Sequence, residues 1–386
     1  MSDRRVVIIG AGVAGLSCAV QLAELGETHV TVLEQDHVAA ASSSLSVGMF
    51  TRNYIDPLDI GLRVWSHQFI ERLERDHQLP VKRIGYLRLA RNDKAMEVLT
   101  EASARQQSLG VTDTSVLGAD QIAHRFPHLS MDDRVGGVFV AGDGYLDGAV
   151  LSNVYLGLAV AAGVKYQGRS EVRGIDTAGS GFVVHTSRGA VEADVVVNAA
   201  GSWANRVANM VGDDLGILPQ RHQAAVLRLA QPLGYVMPNV MDYVPGVDEA
   251  GAYIRYESDL QLVAGVHTNE VEDGANDDPN HFDEHGDQAF IEQLADGLDG
   301  LLLGAGDFGI ETTWAGLYPM SPDGQMLLGP THIEGVYACA GLGGIGIHVS
   351  PAAGRLVAES IVHGDFRLTS GAERLRANRA TFVDQP

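Results

Sequence analysis

An α/β fold, with a parallel sheet near the N-terminus and a mainly antiparallel part later in the chain, is what this sequence predicts, on three observations. Val6-Val7-Ile8-Ile9 is a run of β-branched residues suited to a strand buried on both faces, and it opens directly into a glycine turn and a helix-forming stretch. Residues 149–166 read as helix, turn and strand, the order a parallel sheet needs. Ala225-Val226-Leu227-Arg228-Leu229, Ala252-Tyr253-Ile254-Arg255-Tyr256 and Leu260-Gln261-Leu262-Val263-Ala264 alternate as half-buried antiparallel strands do.

The first unit carries the strongest signal. Gly10-Ala11-Gly12-Val13-Ala14-Gly15 has G-x-G-x-x-G spacing, which lets the backbone turn sharply and approach a pyrophosphate, while the following helix points unpaired N–H groups at it. Thr31-Val32-Leu33 is a second apolar run, ending in Glu34 with Gln35 beside it, where an acidic side chain would hydrogen-bond a ribose. With the three parts in order, the stretch reads as a Rossmann-like dinucleotide-binding unit rather than a glycine-rich structural turn.

After Glu34, residues 39–50 are small and hydroxylated, with no period long enough for a helix or strand. Hydroxyls and N–H groups there, at Ser43, Ser44, Gly48 and Met49, suit phosphate oxygens, the alternative being a solvated serine loop. Apolar positions from Pro57 to about Leu79 (Ile60, Val64, Phe69, Leu73) have helical spacing and stop at Pro80. Gly85–Ala90 reads as a strand, and Asp93–Leu109 as an amphipathic helix capped by Asn92 or Asp93 and stopped at Gly110. Val135–Val140 is a further strand, and Gly142–Gly148 a turn-rich joint before the helix at 149–162. Gly181–Thr186 and Val191–Asn198 are two strand candidates, the second ending in Ala199-Ala200-Gly201-Ser202-Trp203 as a central strand facing a ligand would. Glu270–Asp287 is an acidic surface excursion; His281 and His285 with Asp283 and Glu284 raise a metal site, but the segment reads as a solvated loop and no metal is expected. Val336–Ala340 is a last strand, followed by the glycine segment 341–346 and a helix to about Ile361.

Composition narrows the classes. The 386 residues carry a formal charge of −22 with three lysines, which disfavours nucleic acid or an anionic membrane as partner. Cys18 and Cys339 sit in apolar segments without metal-ligand spacing, so buried free thiols and a reducing, cytoplasmic compartment are expected. Arg4 and Arg5 before an apolar run imitate a signal peptide, but the glycines inside the run argue against one, and no apolar stretch is long enough to span a bilayer.

Taken together, Gly10-x-Gly12-x-x-Gly15 with Glu34, Asp143-Gly144-Tyr145-Leu146-Asp147, Val197-Asn198-Ala199-Ala200-Gly201-x-Trp203, Thr313-Trp314-Ala315-Gly316-Leu317, Ser321-Pro322-Asp323-Gly324 and the closing segment through Pro351-Ala352-Ala353-Gly354 resemble the D-amino-acid oxidase-like family, which includes glycine oxidase and the sarcosine oxidases. The resemblance covers essentially the whole chain. It implies a Rossmann-like FAD-binding domain in three pieces (1–84, 148–218, 316–386) with an inserted, mainly antiparallel-sheet substrate domain (85–147, 219–315). The cofactor contacts it implies are Gly10, Gly12, Val13, Ala14, Gly15, Glu34, Gln35, Ser43, Ser44, Gly48, Met49, Val172, Ala200, Gly201, Trp203, Gly343, Gly344, Ile345, Gly346 and Ile347. The C-terminal glycine loop would run along the isoalloxazine, with the following helix presenting its positive end to the pyrimidine oxygen.

The implied chemistry is oxidation of a C–N bond in a small amine or amino acid by hydride transfer to FAD, giving an imine that water hydrolyses. Relatives grip the substrate carboxylate with arginines at two positions that here are Tyr318 and Gly344, so that bidentate clamp is missing and an N-alkyl or cyclic amino acid is favoured over a simple D-amino acid. His348 stands where monomeric sarcosine oxidase has a substrate-binding lysine, and is open between a substrate ligand or proton acceptor and a packed histidine. Tyr253 matches a substrate-contacting tyrosine of glycine oxidase or is a cross-strand aromatic. Arg52 and Arg255 are the candidates to replace the clamp. Positions used for covalent flavin attachment in relatives are Gly316 and Leu45 here, so FAD is expected to be non-covalent. No lysine near 260–263 matches the oxygen-activating one, so the electron acceptor stays open between oxygen and another acceptor, as does a homo- or hetero-oligomeric state. Competing readings are an electron-relay subunit of a hetero-oligomeric dehydrogenase, a flavin monooxygenase, whose Gly-Asp motif is absent from 341–344, and an NAD-only dehydrogenase, which leaves the second glycine segment without a role.

Overall fold

The computed structural model describes residues 2–268, 278–303 and 307–379. Its strands, in chain order, are β1 (Ser2–Ile9), β2 (Glu27–Leu33), β3 (Met49–Phe50), β4 (Val81–Lys82), β5 (Tyr86–Ala90), β6 (Thr114–Gly118), β7 (Gly136–Val140), β8 (Gly144–Leu146), β9 (Lys165–Gln167) and β10 (Val172–Ala178). They continue as β11 (Gly181–Thr186), β12 (Gly189–Ala193), β13 (Val195–Asn198), β14 (Leu218–Leu229), β15 (Asn239–Met241), β16 (Ala250–Ser258), β17 (Gln261–Thr268), β18 (Phe308–Met320), β19 (Leu327–Pro330) and β20 (Val336–Ala340). The helices are α1 (Val13–Glu24), α2 (Ser42–Leu45), α3 (Pro57–His77), α4 (Asp93–Ser108), α5 (Ala119–Arg125), α6 (Gly148–Ala161), α7 (Ala204–Asn209), α8 (Gln288–Asp299) and α9 (Gly346–His363).

Two large sheets organise the molecule. The first has order β19-β20-β13-β1-β2-β9, parallel throughout except for β19, which runs antiparallel to β20. Val6 and Ile8 of β1 face the core shared with α1, α3, α6 and α9, while Val7 and Ile9 face the core under the β10-β11-β12 meander, which is why the run shows no alternation. The second sheet has order β18-β14-β17-β16-β15-β5-β7-β6, antiparallel apart from the β15·β5 pair, with α8 packed on one face through Phe290, Leu294 and Leu298. β3-β8-β4 joins the two where the 142–148 joint passes.

Caps explain several boundaries. Asp56 accepts from Leu58 N and Asp59 N at the start of α3, Asn92 from Ala95 N at α4, and Asp147 from Val150 N at α6. The structure corrects the sequence reading in four places. Val191–Asn198 is not one strand: Asp194, whose N–H donates to Arg5 O and whose carboxylate accepts from Arg5, is the corner where the chain leaves the meander at β12 and enters the parallel sheet as β13. β6, α5 and β10 were not distinguished at all, because their segments are short and mostly exposed. Residues 39–50 hold the single turn α2 and the two-residue β3. Of the 270–287 excursion, 270–277 lies outside the described residues; it ends at Asp287, the cap of α8, a helix hidden by its Asp and Gly content.

Candidate active site

A cavity of about 450 Å³ runs from the carboxyl ends of β1 and β2 to the face of the eight-stranded sheet. At its first end, Gly10 has φ +109°, and a Cβ there would lie 2.4 Å from Ala199 O. A Cβ on Gly15 would lie 2.0 Å from Gly10 O, so glycine at 15 lets α1 close on the turn. Gly12 starts α1 with no side-chain cap and no acid in the first turn; the one partner brought there is Ser43, whose Oγ accepts from Val13 N at 3.1 Å. Gly12, Val13 and Ala14 line the cavity. Glu34 is fixed at the end of β2 by accepting from Ala11 N (2.8 Å) and Asp36 N (2.9 Å), and Gln35, Ser170 and Val172 close this end.

The other end is built by the register of the second sheet. Directly paired residues share a face, and the pairs Tyr253↔Gly265, Gly265↔Ala224 and Ala224↔Trp314 lay one row across four strands. The next rows carry His222↔Gly316 and Gln220↔Tyr318 on that face. Glycines make the hollow: a Cβ on Gly265 would sit 2.3 Å from the Tyr253 hydroxyl, and one on Gly344 would sit 2.4 Å from Tyr318 Cε2. Tyr318 fills the room Gly344 leaves and stacks on His222, ring centroids 3.8 Å apart at 19°. Burial holds His222 down at about 4, with His267 adding to the effect, so its ring is neutral at pH 7. Burial likewise pushes the Tyr253 and Tyr318 phenols up, and neither hydroxyl has a hydrogen-bond partner among the described residues. Trp314 Nε1 donates to Leu45 O at 2.8 Å, tying α2 to β18.

Of the sequence-derived candidates, Gly10, Gly12, Val13, Ala14, Glu34, Gln35, Ser43, Val172, Ala200, Gly201, Trp203, Gly343, Gly344, Gly346, Ile347, Tyr253 and Tyr318 line the cavity. Gly15, Ser44, Gly48, Met49 and Ile345 flank it without lining it. Arg52 lies elsewhere: Nε donates to Asp143 (2.7 Å) and Nη2 to Asp113 (2.8 Å), so two carboxylates already take its charge. Arg255 donates to Val47 O and Glu257 and stacks 4.4 Å over Tyr145, one layer behind the wall. His348 is 1% exposed and away from the cavity lining. Its Nδ1 faces two donors, Thr51 N at 3.1 Å and Arg63 Nη1 at 3.2 Å, which places the ring proton on Nε2. Burial, reinforced by Arg63, holds it well below the usual histidine range; of the two readings left open for this residue, the geometry around it is that of a packed histidine. His222, Gln223, Ser42, Leu45 and Val47 are lining residues the sequence reading missed. The period-two pattern of β14 could have grouped His222 with Gln220 and Ala224, but not said which face was the site. Among the described residues no cluster of three or more metal-ligating side chains occurs, and no helix is long and apolar enough to cross a membrane. Cys18 and Cys339 are both buried and free.

A family profile described as DAO, FAD dependent oxidoreductase, matches residues 5–360. Mitochondrial sarcosine dehydrogenase of Mus musculus is 25% identical over 383 residues, covering 94% of this chain and 40% of its own length. The chain spans about two fifths of the length of the mitochondrial sarcosine dehydrogenases it matches. Sarcosine oxidase subunit beta of Rhizobium meliloti (strain 1021) is 26% identical over 397 residues, with 98% of this chain and 90% of the relative covered. In fold, L-proline dehydrogenase from P. horikoshii superposes with a TM-score of 0.86 at 24% identity over 99% of both chains.

Proposed function

The chain belongs to the FAD dependent oxidoreductase (DAO) family, and from that premise we propose that it oxidises a C–N bond of a small amino acid, with an N-alkyl or cyclic one favoured. The single observation that carries the reading is the continuity of the cavity from Glu34 to the aromatic hollow of Tyr253, Tyr318 and His222.

The residues present fit FAD. Gly12 leaves a cradle that a Cβ would fill, 3.0 Å from Ser43 Oγ, beneath the uncapped first turn of α1, a donor set suited to a pyrophosphate. Glu34 would take the ribose, Val172 the adenine side, and Gly343 to Ile347 the far end. Bound there, FAD would supply a two-electron sink for the hydride of the substrate carbon next to nitrogen.

The chain's own part is binding and orientation. Neutral His222 accepts a hydrogen bond from the substrate nitrogen, and the Tyr253 and Tyr318 rings enclose its alkyl part and keep water from it. The division into a cofactor-binding part in three pieces and an inserted substrate part belongs to the same proposal; the separation of β1, β2, β9, β13 and β20 from β5–β7 and β14–β18 into different sheets supports it. The acceptor is proposed to be other than oxygen: among the described residues the one Lys or Arg lining the cavity is Arg206, already bonded to Asp278.

Anaerobic mixing of the FAD-loaded protein with a panel of amino acids tests the reading. Bleaching of the flavin by N-methylated or cyclic amino acids is expected, with slow recovery of colour in air. A flavin that no amine bleaches overturns it.

A further inference from the structure

Some guanidinium groups inside the molecule are matched by carboxylates: buried Arg134 with Asp242, and half-buried Arg52 with Asp143 and Asp113. Two are not. Arg63 on α3 and Arg88 on β5 are each 3% exposed, and no carboxylate lies within ion-pair distance of either among the described residues. Arg63 Nη1 donates to Thr51 O (3.2 Å) and His348 Nδ1; Arg88 Nη1 donates to Tyr243 O (2.5 Å). Arg63 Nε and Nη2 and Arg88 Nε have no hydrogen-bond partner among the described residues. Asp59, one helical turn before Arg63, feels its charge without bonding to it. Both guanidiniums share the Tyr54 ring, at 4.2 Å from Arg63 Cζ and 5.8 Å from Arg88 Cζ. An unpaired buried charge with free donors is among the costliest arrangements in a protein, and its remedy is an anion.

The register says where the anion comes from. The row that lines the cavity continues as Tyr253↔Met241 and Met241↔Arg88, so Arg88 projects from the same face as Tyr253, two strands further along. Between them Met49 and Met241 pack with Tyr86, Tyr243 and Val47, and Val47 itself lines the cavity. Unbranched thioether side chains are the ones that re-pack most readily. We propose that Arg63 and Arg88 form the subsite for the substrate's carboxylate, reached from the cavity past Met49 and Met241. This rests on the oxidoreductase reading above, and it moves anion recognition to the opposite side of the sheet face from Tyr318 and Gly344.

The test uses the FAD-loaded protein and two ligands of the same shape, pyrrole-2-carboxylate and pyrrole-2-carboxamide, followed by the flavin absorbance change. The carboxylate is expected to bind more tightly. Arg63→Lys and Arg88→Lys, which keep the charge but lose the fork, are each expected to weaken the carboxylate by about 10- to 100-fold and leave the carboxamide unchanged. Equal loss for both ligands, or no loss for the carboxylate, overturns the proposal. Should the variants fail to fold, a crystal structure of the unsubstituted protein with pyrrole-2-carboxylate decides: its carboxylate on Arg63 or Arg88 nitrogens supports the subsite, and any other position, or no binding, overturns it. A protein bleached by amino acids whose carboxylate binding ignores Arg63 and Arg88 leaves the proposed activity standing and removes only the subsite.

Discussion

Replacing Gly344 with alanine places a Cβ 2.4 Å from Tyr318 Cε2, 2.6 Å from Cζ and 2.9 Å from the hydroxyl oxygen. Ordinary carbon contacts begin near 3.4 Å, so the ring must retreat by about 1 Å. His222, stacked on the ring with centroids 3.8 Å apart, must shift with it or part from it. Overpacking of this kind costs about 1–3 kcal/mol, and the stacked geometry argues for the upper half of that range. Since Gly344 has no positive φ, backbone strain adds nothing. In a Tyr318→Ala background the same substitution meets an empty space and its cost vanishes, so a double-mutant cycle read by urea unfolding of the FAD-loaded protein should return a coupling of about 2–3 kcal/mol. Gly344→Ala as stable as the parent, or equally destabilising with and without the Tyr318 ring, would refute the reasoning.

Other outcomes follow from the same geometry. Burial holds His222 at about 4 and His67 at about 3, and His348 well below its usual range, so between pH 7 and 5 the unfolded chain takes up protons that the folded chain refuses. Stability therefore falls with pH over that window, by about 2 kcal/mol for each of His222 and His67 and in the same direction for His348, visible as a lower urea midpoint at pH 5; a midpoint independent of pH from 7 to 5 contradicts the placement of these rings. Gly316 and Leu45, near which the resemblance places the covalent flavin positions, face each other here, a Cβ on Gly316 lying 3.3 Å from Leu45 Cβ, and neither offers a nucleophile. Denaturing the loaded protein in acid should release all yellow colour to the supernatant, and colour retained on the polypeptide would count against non-covalent FAD.

Much of the cofactor end was legible because its determinants are local. Gly15 is required by a contact with Gly10 within the same turn and Gly10 by the end of the neighbouring strand β13, so their spacing alone carries the geometry, and only Gly12 faces a more distant partner, Ser43. The substrate end is set by long-range register, which one sequence does not display. His222 joins Tyr318 and Tyr253 only because β14 pairs with both β17 and β18, and nothing in Gln220-Arg221-His222 says which face will meet the cavity. Arg52, Arg255 and His348 were visible as charge-bearing residues near the right motifs, but their partners Asp143, Val47 and Arg63 come from distant segments. Arg63 and Arg88 gave no signal, since a helical arginine and a strand arginine read as surface residues until burial shows otherwise. The helix at 288–299 was overlooked although Phe290, Leu294 and Leu298 recur at intervals of four.

The parallel sheet also dictates when the cofactor site can exist. β1 is flanked by β2 and β13, β13 by β20, and the helix after β20 is keyed into the first one: Ser17 Oγ donates to Ser350 O at 2.7 Å, and a Cβ on Gly354 would strike Ser17 Oγ at 2.4 Å. Residues more than 300 apart must meet before the glycine fingerprint has a floor to stand on. A nascent chain that has emerged only through β13 therefore exposes the fingerprint before its supporting helix is in place, and the unpaired N–H and C=O groups along the open edge of β13 wait for β20. Capture of the dinucleotide must therefore wait for β20 and α9 to join the sheet, and a ligand bound to the completed sheet stabilises the folded chain by mass action.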